Sequence, residues 1–167
     1  MEVTAAMVKE LRDRTGAGVM ECKRALAEAD GDLNKAEAKL EEWAGGRIAK
    51  KAGRETNQGI VESYIHGAGR IGALVEVNCE TDFVARNEVF RELAHDIAMQ
   101  VAAMDPQYLS ADEIPQDATG RPADLALLEM AFIKDQSKTI DELIKETIRK
   151  TGENIQVRRY ARFALGS

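Results

Sequence analysis

The sequence has few cysteines: Cys22 and Cys79 are the only two among 167 residues. Two distant cysteines cannot form the dense disulfide framework of small secreted domains. Long apolar runs are also missing, and none approaches the roughly 18–20 residues that span a bilayer. The first residues, Met-Glu-Val-Thr, have neither the features of a signal peptide nor the Arg/Ser-rich character of a transit peptide. We therefore expect a reduced, cytoplasmic protein without a membrane partner.

Positive charge is not in excess either, because 23 lysines and arginines stand against 29 acidic residues, giving a net charge of −6. General nucleic-acid binding needs a basic face that displaces phosphate counterions, so no direct nucleic-acid partner is expected. Four basic residues do cluster over residues 47–54. That stretch could touch ribosomal RNA, but the acidic remainder of the chain favours a solvated linker or an exposed helix.

Proline is rare, and all three prolines fall within residues 106–124, which predicts a loop. Hydrophobic residues make up 44% of the chain, enough for a folded core. Before that loop, residues 4–45 predict three short helices. Thr4 caps the first, the second starts at about Val19, and the third ends at Gly45-Gly46.

The apolar period changes from helical to two after Gly59, and residues 60–66 and 71–77 predict a β-hairpin. A long amphipathic helix follows the cap Asn87. A second helix starts at the capping box of Thr139 and Glu142, and a third strand covers residues 155–165.

This order of elements predicts the α+β class. The expected organisation is a three-helix mini-bundle at 1–46, a basic linker at 47–57, and a small antiparallel sheet covered by helices at 58–167.

Asp82 and Phe83 form an unusual pair between the end of the hairpin and the start of the long helix. In one interpretation, Asp82 caps the helix and Phe83 turns into the core, and spacing alone favours this one. In the other, Phe83 is an exposed anchor for a partner's pocket and Asp82 is its charged neighbour.

Three segments of the chain carry recognisable motifs. They are Leu-Arg-Asp-Arg-Thr-Gly-Ala-Gly through Cys-Lys-Arg-Ala-Leu (11–26), Val-Asn-Cys-Glu-Thr-Asp-Phe-Val-Ala-Arg-Asn (77–87), and Gly-Glu-Asn-Ile with the Val-Arg-Arg-Tyr and Arg-Phe that follow it (152–163). In order and spacing these segments resemble the elongation factor Ts family, and together they span nearly the whole chain.

The resemblance implies a guanine nucleotide exchange factor that binds elongation factor Tu, GDP-bound or nucleotide-free, and promotes GDP release and GTP reloading. It implies that Phe83 is a wedge which displaces the partner's magnesium site, with Asp82 as its polar neighbour and Thr81 and Val84 as flanking supports. No bond is made or broken, so no catalytic residue, resident metal or cofactor is expected.

The mini-bundle resembles a ubiquitin-associated domain, which in this family docks on a helix of the GTPase domain. That resemblance implies Arg12, Val19 and Met20 as contacts, while Gly16 and Gly18 serve backbone needs.

The chain departs from the family in its shortened middle, where an extra basic helix before Leu127-Leu128-Glu129 is missing or reduced, and in Ala131, which replaces a typical proline. It also lacks the duplicated core and coiled-coil protrusion of long members. For such a short type the family expectation is a homodimer.

Other features of the sequence correspond to three alternative functions. Zinc binding would use Cys22, His66, Cys79 and His95, but spacings of 44, 13 and 16 contain no close ligand pair. Catalysis by Cys79 would need a histidine base that nothing in the sequence places beside it. A pure binding module for a ubiquitin-like partner would not explain the Thr-Asp-Phe-Val segment.

Overall fold

The computed structural model describes residues 2–167, and the chain divides into two compact units, Met1–Lys50 and Lys51–Ser167. The first is helical and the second combines an antiparallel sheet with helices. This confirms the predicted α+β class. Among residues 2–167, no helix combines the length and the apolar character that a membrane span requires.

The front unit is built from three helices, α1 (Ala5–Thr15), α2 (Val19–Glu28) and α3 (Leu33–Lys51). The predicted cap of α1 is present, because the Met7 N–H donates to the Thr4 hydroxyl oxygen at 3.3 Å. Leu11 and Leu26 are fully buried at the centre of a small core. Trp43 packs against that core and is partly buried.

The end predicted for the third helix at Gly45-Gly46 is wrong, because α3 continues to Lys51 and includes the first half of the basic stretch. Each helical glycine costs about 1 kcal/mol relative to alanine. Good helix formers follow the glycines, and Arg47 forms an ion pair with Glu21 of α2. Helix propensity after the glycines and this ion pair both favour continuation of α3 past Gly45-Gly46.

The second unit contains a three-stranded sheet of β1 (Gln58–His66), β2 (Ile71–Cys79) and β5 (Ile155–Ala164), with β2 in the centre and both pairings antiparallel. Gly59 has a φ of +147°, and a Cβ atom there would lie 2.1 Å from the Val77 carbonyl oxygen. Glycine is therefore required where β1 and β2 begin to pair.

One face of this sheet is covered by the long helix α5 (Glu88–Met104), whose N-cap is Asn87 as predicted. On β2, Ala73 and Val75 are buried while Leu74 between them is exposed, so the opposite face of the sheet is open. Helix α7 (Ile140–Thr151) packs against α5 and begins at the predicted capping box of Thr139 and Glu142.

Strand β5 contains a β-bulge, because Glu76 pairs with Arg159 and Val77 pairs with Val157, which leaves Arg158 without an opposite residue. Val157 is buried before the bulge, whereas after it Phe163 is exposed. Unbroken alternation from Val157 would have turned Phe163 towards α5. The bulge reverses the alternation and puts Phe163 on the open face.

Residues 106–130 include the loop predicted for 106–124, with a 3-10 turn at Ala111–Glu113, the short helix α6 (Pro122–Leu125) and a second 3-10 turn at Leu127–Glu129. The two ends of this loop are joined: the Tyr108 N–H donates to the Leu125 carbonyl at 3.1 Å and the Leu127 N–H to the Tyr108 carbonyl at 2.9 Å. A small hairpin of β3 (Ala131–Phe132) and β4 (Asp135–Thr139) follows, which the sequence did not predict.

Candidate functional site

Residues 81–84, the wedge segment, lie between β2 and α5 and begin a short helix, α4 (Asp82–Ala85). Thr81 is its N-cap, and the Val84 N–H donates to the Thr81 hydroxyl oxygen at 3.3 Å. Asp82 is not the cap, so that part of the core-directed interpretation is wrong. One side of this turn is buried through Val84 and Ala85.

Phe83 lies on the other side of the turn and is 80% exposed, the most exposed large hydrophobic residue of the described chain. The interpretation in which Phe83 turns into the core is therefore wrong. An exposed phenylalanine on a turn that is fixed from behind has the geometry of an anchor for a partner. Its role in exchange remains a prediction.

Asp82, beside the phenyl ring, forms an ion pair with Arg86, with 3.3 Å between Asp82 Oδ2 and Arg86 Nη2. Both side chains are exposed, and an exposed pair of this kind contributes at most about 1 kcal/mol. The Asp82 carboxylate is therefore free to exchange Arg86 for a group on a partner at little cost.

The wedge segment is hydrogen-bonded to the turn between α7 and β5, and we call these contacts the clasp. Glu153 Oε2 accepts from the backbone N–H groups of Glu80 (3.1 Å) and Thr81 (3.0 Å), and its Oε1 accepts from the Thr81 hydroxyl at 2.6 Å. In the opposite direction, the Asn154 N–H donates to Glu80 Oε1 at 2.7 Å.

The buried Asn154 side chain extends the clasp, because its amide donates to the carbonyl oxygens of Arg54 (3.0 Å) and Ala52 (3.4 Å). Glu153 and Asn154 belong to a segment that carried the family resemblance, yet no role was predicted for either residue. A contact across 72 residues, from Glu153 to Thr81, leaves no local signal that sequence periodicity can detect.

The three residues predicted as contacts of the front unit lie around the turn between α1 and α2. Val19 and Met20 occupy the first turn of α2 and are 51% and 75% exposed. Arg12 is exposed on α1, and the Gly16 N–H, at the left-handed cap, donates to the Arg12 carbonyl at 2.8 Å. The turn therefore presents two neighbouring apolar side chains, and Met20 also lines a pocket that it shares with Trp43. The wedge segment lies on the other unit, and the docking role of these residues remains a prediction.

The four candidate zinc ligands do not form a cluster. Residues 2–167 contain no set of three or more His, Cys, Asp and Glu side chains able to hold a metal ion. His66 and His95 instead lie against Tyr64, with ring centroids 6.0 and 5.7 Å from the tyrosine ring.

Cys79 is buried, and burial, together with the nearby carboxylate of Glu153, raises the pKa of its thiol to about 11. The thiol donates to the Thr81 carbonyl at 3.2 Å. A nucleophilic cysteine needs a lowered pKa and access to solvent, so the geometry opposes the catalytic alternative.

Comparison with known proteins gives one consistent result. The family described as Elongation factor TS matches residues 2–126. The chain is 48% identical to elongation factor Ts of Syntrophomonas wolfei over 98% of its own length and 91% of that protein. It is 46% identical to elongation factor Ts of Coprothermobacter proteolyticus, covering 99% of this chain and all of that one. For elongation factor Ts of Acaryochloris marina the identity is 49%, with 98% and 82% covered.

Proposed function

This chain belongs to the elongation factor Ts family, and on that premise we propose that it releases GDP from elongation factor Tu by displacing the partner's magnesium site with Phe83. The family supports the broader role, nucleotide exchange on elongation factor Tu in translation elongation. The observation that supports the finer mechanism is Phe83 itself, an exposed phenyl ring on a turn whose other side is buried.

The physical reason lies in the partner's magnesium ion. Mg²⁺ joins the nucleotide phosphates to a GTPase and requires near-ideal octahedral geometry, so a small displacement of its surroundings is costly. A phenyl ring inserted beside that site, with Asp82 as a charged neighbour, would weaken GDP binding. Thr81 and Val84 support the ring from its own side, because one caps the turn and the other is buried beneath it.

Reciprocity sets the partner states that such a factor must bind. If the factor weakens GDP binding by a given ratio, bound GDP weakens the binding of the factor by the same ratio. The factor therefore binds nucleotide-free elongation factor Tu most tightly and GDP-bound elongation factor Tu more weakly. The complex with both is short-lived, and GTP can then enter. The chain needs no bond-making residue or cofactor for this, and its place of action is the cytoplasm.

The front unit is proposed as a docking module for the same GTPase. Val19 and Met20 give it an exposed apolar spot, and Arg12 adds a positive charge on the neighbouring helix. Two contacts carried by one chain raise the effective concentration of the second contact once the first has formed. Docking by the front unit therefore lowers the concentration of factor that the wedge segment needs.

We also propose that two copies of the chain associate through the open face of the sheet. Ile65 and Phe163 both pair with Gly72 from opposite sides, so two exposed apolar side chains flank a glycine, and Leu74 lies further along β2. A contiguous apolar patch of this kind on a sheet marks an interaction surface. A second copy presents the same protruding Phe163 and the same hollow at Gly72, so the face can complement itself.

The decisive experiment is release of labelled GDP from elongation factor Tu with catalytic amounts of this protein. We expect faster release and an unchanged GDP equilibrium. Release at the spontaneous rate, with folded protein and the matching GTPase, would overturn the proposal. Dependence of the acceleration on Mg²⁺ concentration tests the finer mechanism: if the wedge acts on the magnesium site, removing Mg²⁺ with a chelator should speed spontaneous release and leave the factor little to add.

A further inference from the structure

We propose that Glu153 is the positioning residue of the wedge segment, because its carboxylate fixes Thr81 and thereby sets the direction in which Phe83 points. This inference rests on the proposed function of Phe83. Glu153 itself lies in the turn between α7 and β5, and the proposed function does not use it as a contact with elongation factor Tu.

Helix α4 is too short to be stable on its own. It has four residues, and a helix this short has too few internal hydrogen bonds to be stable alone. Its direction is set by what holds its two sides. Val84 and Ala85 anchor one side in the core. The N-terminal side is anchored through Thr81.

Glu153 contributes three of the hydrogen bonds that anchor this N-terminal side, beside those from the Cys79 thiol to the Thr81 carbonyl and from the Asn154 N–H to Glu80. The two carboxylate oxygens of Glu153 accept three hydrogen bonds, at 3.1, 3.0 and 2.6 Å, from Glu80 N–H, Thr81 N–H and the Thr81 hydroxyl. The same hydroxyl oxygen accepts from Val84 N–H at 3.3 Å, so Glu153 and the first turn of α4 are joined through one atom. Hydrogen bonds to an ionised carboxylate are stronger than those between neutral groups.

The anchor formed by Glu153 is itself held in place by further hydrogen bonds. The Glu80 carboxylate accepts from the Asn154 N–H at 2.7 Å, so the two chain segments bond in both directions. Asn154 is buried, and its side-chain amide is bonded to the carbonyls of Ala52 and Arg54. A functional side chain gains precision when a supporting shell of this kind holds it.

The experiment compares Glu153→Ala, Glu153→Gln and Glu142→Ala with the wild-type protein in the GDP-release assay over a concentration series. Glu142 is a matched control, because its carboxylate also accepts from a threonine N–H, that of Thr139 at 2.7 Å, but caps α7 instead of α4. We expect Glu153→Ala to lower the rate at saturating factor by about tenfold, because small misplacements of a positioned group have effects of this size or larger. The concentration that gives half the maximal rate should change less than about threefold, because the docking surface on α2 is untouched.

The glutamine variant separates position from charge. Its amide oxygen can accept from the two backbone N–H groups, and its NH₂ group can donate to the Thr81 hydroxyl oxygen. Glu153→Gln should therefore recover most of the saturating rate. A variant as slow as Glu153→Ala, with the Glu80 and Thr81 amides still protected from hydrogen exchange, would show that charge is what acts and would overturn the proposal.

Amide hydrogen exchange followed by NMR gives a readout that does not depend on nucleotide release. In Glu153→Ala, the Glu80 and Thr81 amides should exchange about tenfold faster or more, and in Glu142→Ala they should not change. A saturating rate for folded Glu153→Ala within twofold of wild type overturns the positioning role. If Glu153→Ala does not fold, Thr81→Val, which replaces only the shared hydroxyl by a methyl group, carries the same test. If the wild-type protein fails to release GDP, the proposed function falls, while the amide measurement still decides whether Glu153 holds Thr81.

Discussion

Phe83 and Phe90 lie seven positions apart on consecutive helices, yet Phe83 is 80% exposed whereas Phe90 is fully buried under the sheet. Within one short stretch of chain, one phenylalanine is therefore a buried core residue and the other is an exposed surface residue. This pair provides an internal comparison for separating loss of function from loss of stability.

Phe83→Ala should slow GDP release at least tenfold and change the free energy of unfolding by less than about 1 kcal/mol, because an exposed side chain contributes little to folding. Phe90→Ala should instead lose about 3–5 kcal/mol, the usual cost of removing a core phenylalanine. Denaturant unfolding and the release assay measure both quantities. A large stability loss in Phe83→Ala would mean that the ring packs in solution and does not act as a wedge.

Met20→Glu should weaken docking without harming the front unit, because a negative charge is favourable in the first turn of α2. We expect about a tenfold rise in the concentration of factor that gives half the maximal release rate, equivalent to about 1.4 kcal/mol of binding. The rate at saturation should stay near wild type. An unchanged half-maximal concentration would remove Met20 from the docking surface.

Deletion of residues 1–50 should leave a folded α+β unit, Lys51–Ser167, that needs a much higher concentration to release GDP and recovers its rate at saturation. A longer deletion, to residue 54, also removes the two carbonyls that accept from the buried Asn154. An unsatisfied buried amide costs about 1–3 kcal/mol, so this shorter protein should be less stable by that amount. Undiminished potency of the 51–167 fragment at low concentration would contradict a docking role for the front unit.

Stability should fall at high pH through Cys79. The pKa of its buried thiol is raised from an ordinary 9.0 to about 11, so the folded state favours the protonated thiol. This contribution is fully present below pH 9 and is lost as the pH rises from 9 to 11, by about 3 kcal/mol at most. Cys79→Ala should show a smaller decline over that window in denaturant unfolding. Parallel curves for the two proteins would mean that the thiol titrates normally.

Association through the open sheet face predicts that Phe163→Asp lowers the mass in solution to that of a monomer, since a charge on the patch cannot be buried against a second copy. Light scattering coupled to size exclusion measures this directly. Met20→Glu, on the other unit, is the matched control and should leave the mass unchanged. A wild-type protein that remains a monomer at tens of micromolar would exclude the self-association.

The sequence predicted those elements whose signals are local. The caps Thr4 and Asn87 and the capping box of Thr139 with Glu142 lie within a few residues of the bonds they make, and the structure confirms each of them. The α+β class followed from the order of such elements. The domain boundaries and the roles of the site residues remain predictions.

Features that depend on distant residues were missed. The bulge at Arg158 arises from pairing with β2, about 80 residues earlier, and the clasp of Glu153 spans 72 positions. Continuation of α3 through Gly45-Gly46 accompanies an ion pair with α2 that no propensity reflects. The exposure of Phe83 could not be derived from spacing either, because it depends on Val84 and Ala85 being the buried side of the turn.

The closed base of the 106–130 loop has a consequence for chain length. Tyr108 and Leu125 are hydrogen-bonded, so the two ends of the segment between them lie next to each other. Extra residues at the tip change mainly the entropy of loop closure, about 0.6 kcal/mol for each doubling of length. The alignments with relatives extend over 194–196 positions, more than the 167 residues of this chain, so related proteins do carry additional residues. The segment between Tyr108 and Leu125 is accordingly a place where a peptide tag or a fluorophore can be inserted while the sheet and the wedge segment keep their geometry.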